Sequence, residues 1–160
     1  MSTRVSDHLD DATFRRLSGE ALAARSGEAI LVSTADEHGR PHPALLSYGE
    51  VLAVSPDVLR LVVAAGSTTA RNLTARGAIT LCLVTAAEGA LYVKARARPL
   101  PAGVLGAGLA AYEARIEEVL ADAPAAGEEA RLTSGIAFVS EDPARQSAAW
   151  AMRLEALRRA

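Results

Sequence analysis

A close succession of short apolar runs, each ended by turn-forming residues, most limits what this 160-residue chain can fold into. Four such runs follow one another at residues 29–34, 42–48, 51–54 and 58–65, and two more lie at residues 78–85 and 90–98. Short β-rich runs bounded by Gly, Pro, Asp or Ser are typical of strands joined by tight turns. The sequence therefore predicts an antiparallel, mainly β fold.

Four helical segments interrupt or flank these runs. We predict helices at residues 13–25, between Ser67 and Gly77, at residues 104–120, and from Asp142-Pro143 to the C-terminus, with a loop at 123–129 and a last strand at 134–139. About six short strands with so few helices between them favour a closed or partly closed antiparallel barrel of Greek-key type with a C-terminal helix. A doubly wound parallel sheet needs regular strand–helix alternation and a glycine fingerprint, and the sequence has neither.

Composition narrows the functional classes. Residues 1–160 suit a single domain, because half of them are hydrophobic and the chain is too short for two ordinary cores. A net charge of −2 offers no general field for nucleic acid. The chain has one cysteine, Cys82, and no secretory or membrane-spanning pattern, so we expect a cytoplasmic protein that neither binds membranes nor forms disulfides. No Ser-His-Asp set, carboxylate pair or metal-ligand spacing is evident.

The segment from Val62 to Leu73 carries the strongest chemical signal. A strand here runs through Gly66 into the predicted start of a helix, where Ser67, Thr68 and Thr69 add hydroxyl groups. Free backbone N–H groups and the positive end of the helix dipole make such a start suitable for an anion. A simple helix cap at Ser67 is the alternative interpretation.

In order along the chain, the strand at residues 30–34, Gly39-Arg40-Pro41-His42, the Ser67-to-Leu73 helix start and the strand pair at 78–100 resemble the pyridoxamine 5'-phosphate oxidase-like flavoproteins. The resemblance implies a split β-barrel that binds flavin mononucleotide (FMN) between the subunits of a homodimer and acts on a small-molecule substrate. Carried onto this sequence, it implies that the cofactor contacts are His42, Leu45, Ser47, Gly66, Ser67, Thr68, Thr69 and Asn72.

Two departures from the family pattern shape the functional hypothesis. His42, Ser47, Thr68 and Thr69 stand where the oxidases carry basic residues, and residues 141–160 do not resemble the oxidases' substrate-binding end. We therefore expect an FMN-dependent oxidoreductase of unknown substrate rather than a vitamin B6 oxidase. The alternatives are a deazaflavin-dependent reductase and a non-catalytic module that binds or senses flavin or haem, because one fold can hold different ligands.

Three further features have competing interpretations. Arg71 could reach the phosphate or face solvent. The stripe Tyr92, Lys94, Arg96 and Arg98 is more typical of the solvent side of a half-buried strand than of a binding surface. The one tryptophan, Trp150, is expected to anchor the terminal helix rather than to stack on a cofactor.

Overall fold

The computed structural model of the chain describes residues 2–85, 89–123 and 132–160. Within those ranges it has nine strands and three α-helices, in this order: β1 Ser2–Ser6, α1 Asp11–Leu17, β2 Glu28–Ala35, β3 Pro41–Ser47, β4 Val51–Ser55, β5 Val58–Ala64, α2 Thr68–Arg76, β6 Ala78–Thr85, β7 Gly89–Pro99, β8 Leu109–Asp122, β9 Ile136–Ala137 and α3 Pro143–Arg159.

One antiparallel sheet contains all nine strands. Its order is β3-β2-β6-β7-β8-β5-β4, with β1 paired to β8 and β9 paired to β2. The sheet curls around an apolar interior, and α3 follows at the C-terminal end of the chain. This confirms the predicted split β-barrel with a C-terminal helix, although the strands number nine rather than about six.

Alternation of buried and partly exposed side chains along the central strands explains why the interior is apolar. Residues of β2 switch between buried Ile30, Val32 and Thr34 and partly exposed neighbours, and β6 and β7 do the same. Successive side chains of a strand point to opposite faces, so one face of each strand lines the core. The largest fully buried side chains include Leu59, Leu61 and Leu81, as the aliphatic-rich composition requires.

The predicted helix at residues 104–120 is wrong, because most of this segment forms the 14-residue strand β8. Tyr112, Ala114 and Ile116 point into the core at a spacing of two, but the next core residue is Val119. The register against β7 shifts at this point, with Glu117 as the extra residue of a β-bulge. The helix was predicted because apolar residues recur every three or four positions through this segment, at Leu105, Leu109, Tyr112, Ile116 and Leu120.

The predicted helix at residues 13–25 is also too long. α1 ends at Leu17, Gly19 has a φ of +85° and Ala21 a φ of +51°, and residues 22–25 form only a 3₁₀ turn. Left-handed backbone cannot continue an α-helix. Of the strand predicted at 134–139, only Ile136–Ala137 pairs, and of the loop predicted at 123–129, only Ala123 lies inside the described residues.

The terminal helix begins and is anchored as the sequence indicates. The Asp142 carboxylate accepts a hydrogen bond from the Arg145 backbone N–H, and Pro143 occupies the first turn. The Trp150 ring is 4% exposed and meets the Phe138 ring edge-on, with centroids 6.5 Å apart. Trp150 therefore fixes α3 against the barrel.

The polar stripe of β7 faces solvent and is paired with acidic residues of β8. Lys94 meets Glu118 at 2.7 Å, Arg96 meets Glu117 at 3.5 Å, and Arg98 is paired with Glu113. Cross-strand pairs of opposite charge stabilise neighbouring strands modestly. These contacts fit the prediction of an ordinary solvent side, which stays a prediction.

Candidate functional site

The start of α2 is built by a side-chain cap. Ser67 has an extended backbone, and its Oγ accepts a hydrogen bond from the Ala70 backbone N–H at 3.1 Å, while its carbonyl accepts one from Arg71 at 3.2 Å. Gly77, with a φ of +69°, ends the helix in the left-handed conformation that glycine tolerates. The cap alternative considered for Ser67 is therefore part of the geometry.

The cap leaves two donors of the first turn unused. In the part of the chain that the structure describes, the backbone N–H groups of Thr68 and Thr69 donate no hydrogen bond. Gly66 beside them is exposed, and a Cβ built on it meets nothing within 4 Å. Free N–H groups at the positive end of a helix next to open space suit a small anion.

A guanidinium group lies over the same turn. Nη1 of Arg71 donates to the Gly66 carbonyl at 3.1 Å, and Nη2 donates to Thr68 Oγ1 at 2.7 Å. The Thr68–Arg71 spacing of three residues puts both side chains on one face of the helix, which is the sequence signal for this contact. We call the two free amides, Gly66 and Arg71 the α2 anion site.

Two buried hydrogen bonds fix α2 in position. Nδ2 of Asn72 donates to Thr34 Oγ1 on β2 at 2.9 Å, and the Tyr112 hydroxyl of β8 donates to the Ala70 carbonyl at 2.9 Å. The predicted cofactor residue Asn72 thus directs its amide into the protein, and the Thr69 side chain is buried as well. Both residues face the barrel, so Thr69 offers the site its backbone N–H.

A groove of about 390 Å³ is lined by residues of α2 and β8. Ala65, Arg71, Thr74 and Tyr112 are among the residues that line it. The Tyr112 hydroxyl lies 2.9 Å from Thr74 Oγ1 at this surface. The α2 anion site therefore adjoins a concave surface large enough for part of an organic ligand.

The three predicted contacts on β3 do not share one face. His42 lies on the same face of β3 as the inward-facing Leu46. Leu45 and Ser47 lie on the opposite, outward face, where Leu45 is 57% exposed. His42 pairs with Thr34, the residue that holds Asn72, so it is the β3 residue nearest to α2 along the pairing. The Ser47 hydroxyl and backbone N–H both donate to the Glu50 carboxylate.

Three other features of residues 2–85, 89–123 and 132–160 concern metal sites, the cysteine and membrane-spanning helices. No group of three or more His, Cys, Asp and Glu side chains is placed to hold a metal ion there. Cys82 is half-buried, and burial raises the pKa of its thiol above the ordinary value. No helix in those ranges is long and apolar enough to cross a membrane.

No family model matches the chain. It is 31% identical over 158 residues to the uncharacterized protein YclD of Bacillus subtilis (strain 168), a match that covers 94% of this chain and 96% of that protein. The chain belongs to the YclD family. YclD family membership gives the chain a relative of matching length but no assigned activity.

Solved structures agree on the fold of this YclD family member. A protein named "putative pyridoxamine 5'-phosphate oxidase" from Lactobacillus delbrueckii superposes with a TM-score of 0.57 at 16% identity, covering 72% of this chain and 97% of that one. A protein named F420 reductase superposes with a TM-score of 0.51 at 13% identity, covering 66% and 94%. The chain therefore has the pyridoxamine 5'-phosphate oxidase-like split-barrel fold, as the sequence resemblance implied.

Proposed function

We propose that this protein is an FMN-binding flavoprotein, folded as one domain, that holds the cofactor phosphate in the α2 anion site. The observation that carries the proposal is the pair of unpaired N–H groups on Thr68 and Thr69 beside the Arg71 guanidinium. Phosphate oxygens accept hydrogen bonds from both types of donor, and a charged donor strengthens the contact. Arg71 compensates in part for the basic residues that positions 68 and 69 lack.

The rest of the cofactor then lies against β3. We propose that Leu45 and Ser47, on the outer face of β3, contact the ring, and that His42, on the opposite face, contacts the cofactor around the edge of the strand. Flavin, when bound, supplies the redox chemistry itself. The residues of this chain bind the phosphate, orient the ring and exclude water, and we propose an oxidoreductase of unknown small-molecule substrate.

We propose a homodimer, and the apolar outer face of β3 supports it. Leu45 is exposed there, and it lies opposite the half-buried Leu31 of β2 in the pairing. A second barrel packed on this face covers apolar surface and closes the ring site. Sedimentation of the flavin-loaded protein should give twice the 16.6 kDa chain mass, and a mass of one chain would contradict the dimer.

A deazaflavin is the second candidate cofactor, because a protein named F420 reductase shares the fold. The absorbance spectrum of the protein as isolated separates the candidates, since flavin, deazaflavin and haem absorb at different wavelengths. An FMN spectrum supports the main proposal. A haem spectrum would favour the alternative of a non-catalytic binding module.

Replacement of one amide tests the phosphate contact. Thr68→Pro removes the N–H at the first helical position, where proline is well tolerated, and the extended backbone of Ser67 suits the residue before a proline. Thr68→Ala removes the same hydroxyl and keeps the N–H, so it is the matched control. We expect Thr68→Pro to bind FMN about tenfold more weakly than Thr68→Ala, as the loss of one hydrogen bond to a charged group implies.

Arg71 has a matched control on the same helix. Arg71→Gln should weaken FMN binding, whereas Arg76→Gln, at the C-terminal end of α2, should change it little. Circular dichroism of each variant verifies that the fold is retained. Equal FMN affinity in Thr68→Pro and Thr68→Ala, together with equal affinity in both arginine variants, would refute the proposed site.

A further inference from the structure

Two guanidinium groups share one carboxylate at the end of β2 remote from α2. Nη2 of Arg16, on α1, lies 3.2 Å from Glu28 Oε2, and Nη1 of Arg25, on the 3₁₀ turn, lies 3.3 Å from Glu28 Oε1. Two positive charges therefore face one negative charge. Among the side chains that the structure describes here, the cluster has a local excess of one positive charge.

Tyr48 fixes the two arginines in place. Their guanidinium carbons lie 5.4 Å (Arg16) and 5.7 Å (Arg25) from the centroid of its ring, and Nε of Arg16 donates to its hydroxyl oxygen. Tyr48 is buried, and burial raises the pKa of its phenol, so the hydroxyl keeps its proton at neutral pH. Cation–π contacts of this kind orient a guanidinium plane and leave its edge free to donate.

The cluster opens into a cavity of about 280 Å³. Arg16, Arg25 and Glu28 line one part of it, and Ala29, Ser134 and Ile136 line another. The Arg16 side chain is only 13% exposed, so its charge is poorly solvated. A buried guanidinium without a full set of acceptors favours an anionic partner. We call this cavity, with its two arginines, the arginine pocket.

We propose that the arginine pocket binds a small monoanionic carboxylate. The planar fork of a guanidinium matches a carboxylate through two parallel hydrogen bonds, and one negative charge neutralises the local excess. The Glu28 oxygens already accept from both arginines, so they leave the remaining N–H groups for the ligand. The volume suits an organic acid of a few carbon atoms or one ring.

The arginine pocket is separate from the α2 anion site. Ala29, in its wall, pairs with Ser47 at one end of β3, whereas Thr34, beside α2, pairs with His42 near the other. Five residue-to-residue steps along the strand lead from Ser47 to His42, which is about 17 Å at a rise of about 3.3 Å per step. Ser47, next to the pocket wall, is a proposed ring contact, but Arg16, Arg25 and Glu28 are not proposed cofactor contacts. The carboxylate proposal rests on the two arginines, so it can hold or fail whether or not FMN binds.

Calorimetric titration at constant ionic strength, with benzoate as the probe, tests the pocket. We expect saturable binding of one benzoate per chain to the wild type, weakened about tenfold or more in Arg25→Gln, as loss of hydrogen bonds from a charged donor implies. Arg159→Gln removes the same charge from the exposed end of α3 and should leave benzoate binding unchanged. The titration uses the protein without added FMN, so its outcome does not depend on the proposed cofactor site.

A second variant covers the case of a folding defect, and a second probe tests whether the ligand of the arginine pocket is a carboxylate. If Arg25→Gln does not fold, Arg25→Lys keeps the charge without the planar fork, and it should also weaken benzoate binding. Absence of saturable benzoate binding to the wild type would overturn the proposal and leave a structural ion-pair cluster. Tighter binding of inorganic phosphate than of benzoate would overturn the carboxylate assignment.

Discussion

The hydrogen bond between Asn72 and Thr34 should make a large, non-additive contribution to stability. Asn72 Nδ2 donates to Thr34 Oγ1 at 2.9 Å, and the two residues are only 7% and 3% exposed. Thr34→Val keeps the shape of the side chain and leaves the Asn72 amide without its acceptor. An unsatisfied buried polar group costs about 1–3 kcal/mol, so we expect the free energy of unfolding to fall by about 2 kcal/mol.

The effect can be measured by urea unfolding of the cofactor-free protein. With a urea slope of about 2 kcal/mol per molar, a loss of about 2 kcal/mol lowers the midpoint by about 1 M. Asn72→Leu should cost a similar amount, since it leaves the buried Thr34 hydroxyl without its donor. The double variant Thr34→Val/Asn72→Leu removes both polar groups and should be more stable than the sum of the single losses by about 0.5–3 kcal/mol.

The refuting result is additivity. If the double variant loses the sum of the single losses to within about 0.5 kcal/mol, the two side chains do not interact and α2 is held by other contacts. Non-additive losses in these variants would also explain why Asn72, predicted as a cofactor residue, directs its amide into the protein. Its contribution to ligand binding is then to position α2.

Two further predictions concern stability. Gly49→Ala should lower the free energy of unfolding by about 1–3 kcal/mol, because the new Cβ would lie 2.1 Å from Trp150 Cγ. Gly66→Ala is the matched control, because a Cβ at that position meets no atom within 4 Å. Equal urea midpoints for the two variants would contradict this packing. Asp10→Ala should lower the free energy of unfolding by about 1 kcal/mol at pH 7, because it removes the cap of α1. The hydrogen bond from the Thr13 backbone N–H lowers the pKa of the Asp10 carboxyl below its ordinary value, so the stability difference from wild type should be present above the unfolded-state pKa and vanish as the pH falls through the folded-state pKa. A stability difference that persists at low pH would show that the carboxylate does not act as this cap.

Local signals allowed most strands and two helices to be predicted from the sequence. The Ser67 cap and Gly77 stop bracket α2, and Asp142-Pro143 begins α3, because these residues act on the backbone within one turn. The strands on either side of Gly39 were equally clear. Each of these features depends on neighbours in the sequence.

The errors arose where distant contacts decide the structure. Apolar residues recur every three or four positions through the segment of β8, and it is pairing with β1, β5 and β7 that makes this segment a strand. β1 has almost no apolar pattern and forms through pairing with β8. The sequence left open whether Arg71 reaches the phosphate or faces solvent, and it did not predict the contacts with Gly66 and Thr68, because helix periodicity alone does not say which way a long side chain bends.

FMN and riboflavin differ only by the phosphate that the α2 anion site is proposed to bind, so their affinities isolate this contact. Quenching of flavin fluorescence on titration with the protein gives both dissociation constants in one buffer. We predict that FMN binds at least about tenfold more tightly than riboflavin, and that Arg71→Gln narrows this difference in affinity. Equal affinities, or no binding of FMN, would contradict it.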